Sequence, residues 1–209
     1  MSKKIIKPRF KVQRRLGTEL PGLGKTGALE RRPYPPGQHG DRRRKYTNFG
    51  LQIEEKQKLI NNYGMREKQL LRFIRESKRG SSANWINTLA GLLERRLDNV
   101  VFRLNFAPST RAARQMIGHG HVLVNGKKVS IGSFICKVGD EISLKDKSYA
   151  HQSYVSSQGS PRMESPSYLS ATVDNNKAVG KVLSIPGLES IPFEFIPSLV
   201  TEYYSMRKA

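Results

Sequence analysis

The sequence predicts an α+β fold: a mainly helical N-terminal domain with a basic irregular arm, joined to a helix–helix–β module that closes on a small antiparallel sheet. Three observations predict it. Residues 51–78 and 93–117 carry apolar side chains at helical spacing. Asn125-Gly126 lies between two short apolar runs, which is the strongest short-range hairpin signal. Upstream, Pro8, Pro21, Pro33, Pro35 and Pro36, with Gly17, Gly22, Gly24, Gly27, Gly37 and Gly40, break any long element. The 209 residues suit one or two domains. The expected division is an arm over 1–48, a helical domain over 49–91 with 196–209 docked back on it, and an α/β domain over 92–195 whose core module is 92–148.

Charge narrows the function classes. The chain has 37 Lys+Arg against 17 Asp+Glu, a formal net charge of +20. Residues 1–49 hold 14 basic and 3 acidic groups, net +11. Residues 50–100 carry net +4, residues 101–148 net +5, and residues 149–209 none. An excess this large favours a polyanionic partner, nucleic acid before an acidic membrane surface. Its fall along the chain suits a binding arm followed by binding domains better than a purely solubilising charge. No apolar run approaches the ~20 residues that span a bilayer. The start, Met1 to Lys7, has no apolar stretch of signal-peptide length. The single Cys136 supplies neither an internal disulfide nor a multi-Cys zinc site, so a reduced, intracellular setting is expected.

The arm shows little periodicity and is expected to order mainly on what it touches. Its densest point, Arg42-Arg43-Arg44-Lys45, follows the turn-rich Tyr34-Pro35-Pro36-Gly37-Gln38-His39-Gly40 and reads as a phosphate contact. His39 reads as a hydrogen-bonding residue. Two helices follow, Leu51 to Tyr63 and Met65 to Lys78, divided by Gly64. In the second, Leu70, Leu71 and Ile74 make an apolar stripe, while Lys68, Arg72 and Arg75 recur on another face. That basic face is equally a solvated surface or one laid against phosphates. Gly80-Ser81-Ser82 reads as a linker.

In the module, Leu93, Leu97, Val100, Val101 and Leu104 form one helical stripe, with Arg96, Asn99 and Arg103 on a different face. Phe106-Ala107-Pro108 is expected to end that helix, and Ser109 or Thr110 to cap the next. On the second helix, Arg111, Arg114, Gln115 and Gly118 share one side, and Ala112, Ala113, Met116 and Ile117 the other. A solvated face mixes charges of both signs, yet no acid occurs from Asn105 to Gly139. The Arg fork binds phosphate oxygens in pairs, so this face is read as a ligand face. After His119-Gly120-His121 come strand Val122-Leu123-Val124, the Asn125-Gly126 turn, and a return strand from Lys127-Lys128 with Val129 and Ile131 inward. A later turn at Gly139-Asp140 leads to a last strand with Ile142 and Leu144. Without carboxylate or Cys support, His119 and His121 are not read as metal ligands.

With these runs in view, the sequence resembles the small-ribosomal-subunit protein S-four (uS-four) family, in its zinc-free bacterial or organellar type. The matching runs are Pro36-Gly37-Gln38-His39-Gly40 with Arg42 to Lys45, Tyr46 to Gly50, Glu55-Lys56-Gln57-Lys58-Leu59 and Glu67-Lys68-Gln69. The most specific is Leu93 to Leu104, followed by Ser109 to Gln115 and Val124-Asn125-Gly126. Gly180-Lys181-Val182-Leu183 and Leu199 to Ser205 complete the series. The resemblance implies direct binding of small-subunit ribosomal RNA early in assembly, at a multi-helix junction of the 5′ domain. It also implies a place in the body of the subunit near the messenger entry. A further implied partner is the fifth small-subunit protein, at an interface that influences decoding accuracy. It leaves messenger RNA open as a partner, and implies no membrane, no small-molecule substrate and no cofactor. The setting is a cytoplasmic ribosome, with an organelle ribosome open.

The RNA-facing residues that follow are Arg14, Arg15, Arg31, Arg32, Arg42, Arg43, Arg44 and Lys45 of the arm. Lys56, Lys58, Lys68 and Arg72 of the helical domain join them. The module supplies Arg96, Asn99, Arg103, Arg111, Arg114, Gln115, His119, Lys127 and Lys128. Two departures stand out: the arm lacks the Cys cluster that binds zinc in some relatives, and Ser153 to Ser170 reads as a flexible or irregular loop. Two rival readings remain. Pseudouridine-forming enzymes carry a similar small module, and Arg96-Leu97-Asp98 imitates a catalytic string, but neither flank could supply a catalytic domain. Gly22-Leu23-Gly24-Lys25-Thr26 lacks the upstream Gly of a phosphate-binding loop. A free-standing RNA chaperone or messenger repressor would use the same surface, so that reading can coexist with the first.

Overall fold

The computed structural model describes residues 8–42, 45–79, 84–174 and 177–205. Arg43 and Arg44 of the basic run and the Gly80-Ser81-Ser82 linker lie outside the described residues.

The arm is more structured than its composition suggests. Helix α1 (Arg9–Leu16) starts directly after Pro8 and stops at Gly17, whose φ of 61° is left-handed. A short 3-10 turn at residues 21–23 and helix α2 (Ala28–Arg31) follow. Val12, Leu16, Leu20 and Leu23 bury together, and Phe193 packs against them. The fully buried Gln13 side chain donates to the Lys25 carbonyl and accepts from the Leu20 amide. The expectation that the arm orders mainly on what it touches is therefore corrected for this part. Four apolar side chains reach a common centre, and an amide satisfies the backbone that the turn would leave unpaired.

Helices α3 (Asn48–Asn62), α4 (Glu67–Lys78) and α5 (Trp85–Glu94) form the second layer. Thr47 caps α3 by accepting from the Gly50 amide. Leu59, Tyr63, Leu70, Ile74, Leu89 and Leu93 make the core, and Val200, Tyr203 and Tyr204 of the terminal helix α9 (Pro197–Ser205) complete it.

The stripe through Leu93 and Leu104 is buried throughout, but it does not lie on one helix. The chain breaks at Arg95-Arg96 and resumes as α6 (Leu97–Arg103). The 131–136 loop provides the cause. Leu97 N donates to Phe134 O and Asp98 N to Gly132 O, while Cys136 N donates to Arg95 O. These bonds satisfy amides at the new helix start, so continuity offers no gain. The α6 helix ends before Phe106, because Asn105 adopts φ 56°.

Helix α7 (Thr110–Gly118) leads into β1 (Val122–Val124) and β2 (Lys127–Lys128). Asn125 and Gly126 have φ of 50° and 75°, the doubly positive pair that a tight two-residue turn requires. β3 (Glu141–Leu144), β4 (Leu169–Asp174) and β5 (Lys177–Val182) extend the sheet in the order β2-β1-β3-β5-β4, antiparallel throughout. Its inner face, with Val122, Val124, Ile142, Leu144 and Val182, packs on α6 and α7. Val129 is partly buried there, but Ile131 is 63% exposed, against the inward expectation, because β2 ends at Lys128 and the chain leaves the sheet.

The Ser-rich stretch is also corrected. It contains helix α8 (Gln152–Gly159), capped by His151 Nδ1, which accepts from the Ser153 amide. Tyr154 anchors it edge-on to Phe106 and Tyr149. One aromatic side chain and one cap replace the apolar stripe that was absent from the sequence.

Candidate nucleic-acid interface

Helix α7 sorts its side chains by chemistry. Ser109 Oγ caps it by accepting from the Ala112 amide at 3.2 Å. Ala113, Met116 and Ile117 are buried, whereas Gln115, Gly118 and His119 are exposed and Arg111 is half-buried. The hairpin beside it carries Lys127 and Lys128, both exposed. The Asn125 side chain locks the hairpin turn to the β3 entry, donating to Asp140 Oδ1 and accepting from the Glu141 amide. Burial, then the charges of Arg9 and Arg114, hold the Arg111 pKa below its ordinary value. Of these like charges only Arg114 is paired among the described residues, with Asp98, and an anion placed beside Arg111 would relieve the repulsion. Arg9 reaches this point from α1, a tertiary approach that no spacing in the sequence signals.

Several candidates have a different role. Arg96, Asn99 and Arg103 are 2%, 1% and 4% exposed. Arg96 forms two bonds to Asp98 and lies over the Phe73 ring. Asn99 donates to Glu94 Oε2 at 2.9 Å, and Arg103 Nε lies 3.3 Å from the same oxygen. Glu94 is itself fully buried and also accepts from the Tyr63 and Tyr168 hydroxyls. Burial works against the Arg103 charge most strongly of any single cause, but Glu94, Tyr168 and Tyr63 together outweigh it and raise the Arg103 pKa. Burial and then Glu94 also push both tyrosines well above their ordinary range. An RNA contact by Arg96, Asn99 or Arg103 does not fit this enclosure, and the polar face of α6 serves an internal network. The break at Arg95-Arg96 is what turns that face inward.

Lys56 and Lys58 are likewise only 7% exposed. Lys56 pairs with Glu67 at 3.1 Å and lies over the Tyr203 ring, tying α3 to α4 and α9. Lys58 pairs with Glu55 and donates to Glu194 O. Arg114 is intermediate. Its Nε lies 2.6 Å from Asp98 Oδ2, and its two terminal nitrogens donate to the Gly64 and Tyr63 carbonyls. It is a strut between the helical layer and the module, with one edge in solvent.

In the arm, Arg14 donates to the Tyr34 and Pro35 carbonyls and lies over the Tyr34 ring, which ties the Tyr34–Gly40 turn to α1. Arg15, Arg31, Arg32, Arg42 and Lys45 are exposed. Lys68, Arg72 and Arg75 project from α4 and, with Arg79, line an open groove of about 640 Å³. Among the described residues, no group of three or more His, Cys, Asp and Glu is placed to hold a metal ion. The buried Cys136 thiol, pushed up to about 12 chiefly by burial, stays protonated.

An Arg- and Lys-bearing face on a small helix–helix–sheet module defines a polyanion-binding protein of α+β class. Residues 4–94 match the family described as ribosomal protein S4/S9 N-terminal domain, and residues 95–142 match the S4 domain. The chain is 58% identical over 200 residues to small ribosomal subunit protein uS4B of Bdellovibrio bacteriovorus, covering 96% of each chain. It is 47% identical to small ribosomal subunit protein uS4 of Methylobacillus flagellatus, over 96% of this chain and 97% of that one. With uS4 of Trichodesmium erythraeum it shares 46%, over 95% and 96%. The chain belongs to the uS4 family of small ribosomal subunit proteins.

Proposed function

We propose that this chain is a structural, non-catalytic constituent of the small ribosomal subunit that binds small-subunit ribosomal RNA directly. On this reading it works at the ribosome, in the cytoplasm, and nucleates assembly by holding a multi-helix junction of the 5′ domain. It also influences decoding accuracy through contact with the fifth small-subunit protein. The observation that carries the RNA reading is the approach of Arg9 to Arg111 beside the exposed Gln115 of α7 and His119 at its C-cap, with Lys128 against Gly120 at the end of that helix and no acid in the sequence from Asn105 to Gly139. The finer claims rest on family membership.

The contact surface proposed from the structure is narrower than the sequence suggests. Arg111, Gln115, His119, Lys127 and Lys128 form its centre, with the outer edge of Arg114. Arg15, Arg31, Arg32, Arg42 and Lys45 extend it along the arm, and Lys68 and Arg72 form a second, separate strip. Capture is electrostatic, and shape then selects folded RNA, since few aromatic rings lie on the basic face to stack bases. The test is filter binding to a transcript of the small-subunit 5′ domain. Replacing Arg111, Lys127 and Lys128 together by Ala is expected to weaken binding at least tenfold, on the order of 1.4 kcal/mol, with unchanged melting temperature. Unchanged affinity would refute the assignment of this face.

A further inference from the structure

The end of the module next to this face carries a cluster of three rings, of which the RNA reading uses only His119. His119 follows α7, His121 precedes β1, and His151 caps α8. The His119 and His121 ring centroids are 6.1 Å apart, and those of His121 and His151 are 5.2 Å apart. Lys128 crosses over Gly120 between the first two. A Cβ placed on Gly120 would lie 2.2 Å from Lys128 Cε. The groups that act on the His121 ring are His151 from α8, His119 from the end of α7 and Lys145 from the exit of β3, all basic. The acid in the adjoining turn, Asp146, is held by Lys177 at 2.6 Å.

The ring nitrogens have unequal freedom. His151 Nδ1 must keep its lone pair to accept from the Ser153 amide. His121 Nδ1 faces Ser148 Oγ at 2.9 Å. With its proton there, donating to the hydroxyl, Nε2 is left as the basic site. A shared metal would need His151 to give up its cap or its tautomer, and among the described residues no carboxylate or thiol joins the rings. A proton on His121 Nε2 needs neither change; it needs an anion nearby.

We propose that this histidine cluster is a proton-linked phosphate site: docking of the RNA backbone beside Lys128 and Lys145 is accompanied by proton uptake on His121. The inference rests on the RNA reading above and adds its regulation by pH. In the free chain, burial and then the neighbouring bases disfavour the His121 cation. A phosphate oxygen reverses the local sign of the field, and imidazole is the side chain that such a reversal switches near neutral pH. Binding then tightens as pH falls, by at most tenfold per pH unit for each proton taken up.

The experiment uses the full chain and a transcript of the small-subunit ribosomal RNA 5′ domain at constant ionic strength. Wild-type affinity is expected to be about fivefold higher near pH 6 than near pH 8. His119→Gln with His121→Asn, which keeps a donor for Ser148, is expected to bring that ratio close to one. Calorimetry of the unmodified chain in two buffers of different ionisation enthalpy counts the protons directly. Net uptake on binding is expected, and zero uptake overturns the proposal whatever the variant does. A pH ratio that survives in the double variant also overturns it, since the titrating group is then in the RNA or elsewhere. Binding that still depends on Arg111 but not on pH overturns the proton linkage alone. Binding that ignores Arg111 at either pH overturns the RNA reading, and the linkage with it.

Discussion

Replacing Glu94 by Ala should cost this fold more than any surface change. Its carboxylate is fully buried at the end of α5 and meets Tyr63 just after α3, Asn99 and Arg103 from α6, and Tyr168 ahead of β4. It therefore joins the helical layer to the module. The substitution removes three hydrogen-bond acceptances and leaves Arg103, 4% exposed, without its carboxylate. Breaking a buried pair in this way costs about 3–5 kcal/mol. Since about 1 kcal/mol moves the melting temperature of a chain this size by about 2–4 °C, a fall on the order of 10 °C is expected. Differential scanning calorimetry of the full chain reads it directly. The Glu94→Ala, Arg103→Ala cycle should give a coupling of roughly 1–3 kcal/mol, because the double variant no longer strands a charge. A fall below about 2 °C, or additive costs, would refute the claim that this network holds the two layers together.

Arg114→Ala should lower stability by about 2 kcal/mol, read from the urea midpoint at constant slope, because two carbonyls lose a charged donor while Asp98 keeps Arg96. The variant should therefore weaken RNA binding partly through folding, unlike Arg111→Ala. Gly24→Ala should cost more than about 1 kcal/mol, since Gly24 has φ 68° and a Cβ there would meet the Pro108 carbonyl oxygen at 2.3 Å. A melting temperature equal to wild type would contradict that docking of the arm on the module. In the free chain the lowered His121 pKa means that the unfolded state binds this proton more readily. Its contribution to stability is present above about pH 6.5 and lost as pH falls below it. His121→Asn should flatten that part of a stability–pH profile, and an unchanged profile would show that another group titrates.

Much of the module was legible because local signals and tertiary packing agree. The Asn125-Gly126 turn, the Ser109 cap and the buried stripe of α7 each follow from chemistry within a few residues. The same holds for the Arg111 and Gln115 side of α7. Legibility ended where a distant segment decides the outcome. The helical periodicity through Leu93 and Leu104 is intact, yet backbone from residues 132–136 breaks the helix and turns Arg96, Asn99 and Arg103 inward. Spacing alone cannot separate a basic face that meets solvent from one that meets Glu94 and Asp98. The enclosure of Lys56 and Lys58 is hidden for the same reason: their carboxylate partners Glu67 and Glu55 are near in sequence, but cover by Tyr203 of α9 and by the Glu194 carbonyl is not a local property. The compact core of the arm was hidden because Val12 and Leu16 give one i, i+4 pair on a short helix, while Leu20 and Leu23 lie on and beside a 3-10 turn, too few side chains to set a period.

The central claim is that the exposed basic face, not the basic composition as such, captures folded RNA. The measurement that tests it most directly is the salt dependence of binding to the 5′-domain transcript, with a single-stranded RNA of equal length as the competitor. If 6–10 phosphates are neutralised, affinity for the folded transcript should fall by roughly 10³–10⁵ between about 50 and 200 mM salt. Replacing Arg111, Lys127 and Lys128 by Ala should make that slope shallower, while Arg96→Lys, inside the fold, should leave it unchanged. A slope insensitive to the three surface residues, or equal affinity for the single strand, would contradict the account.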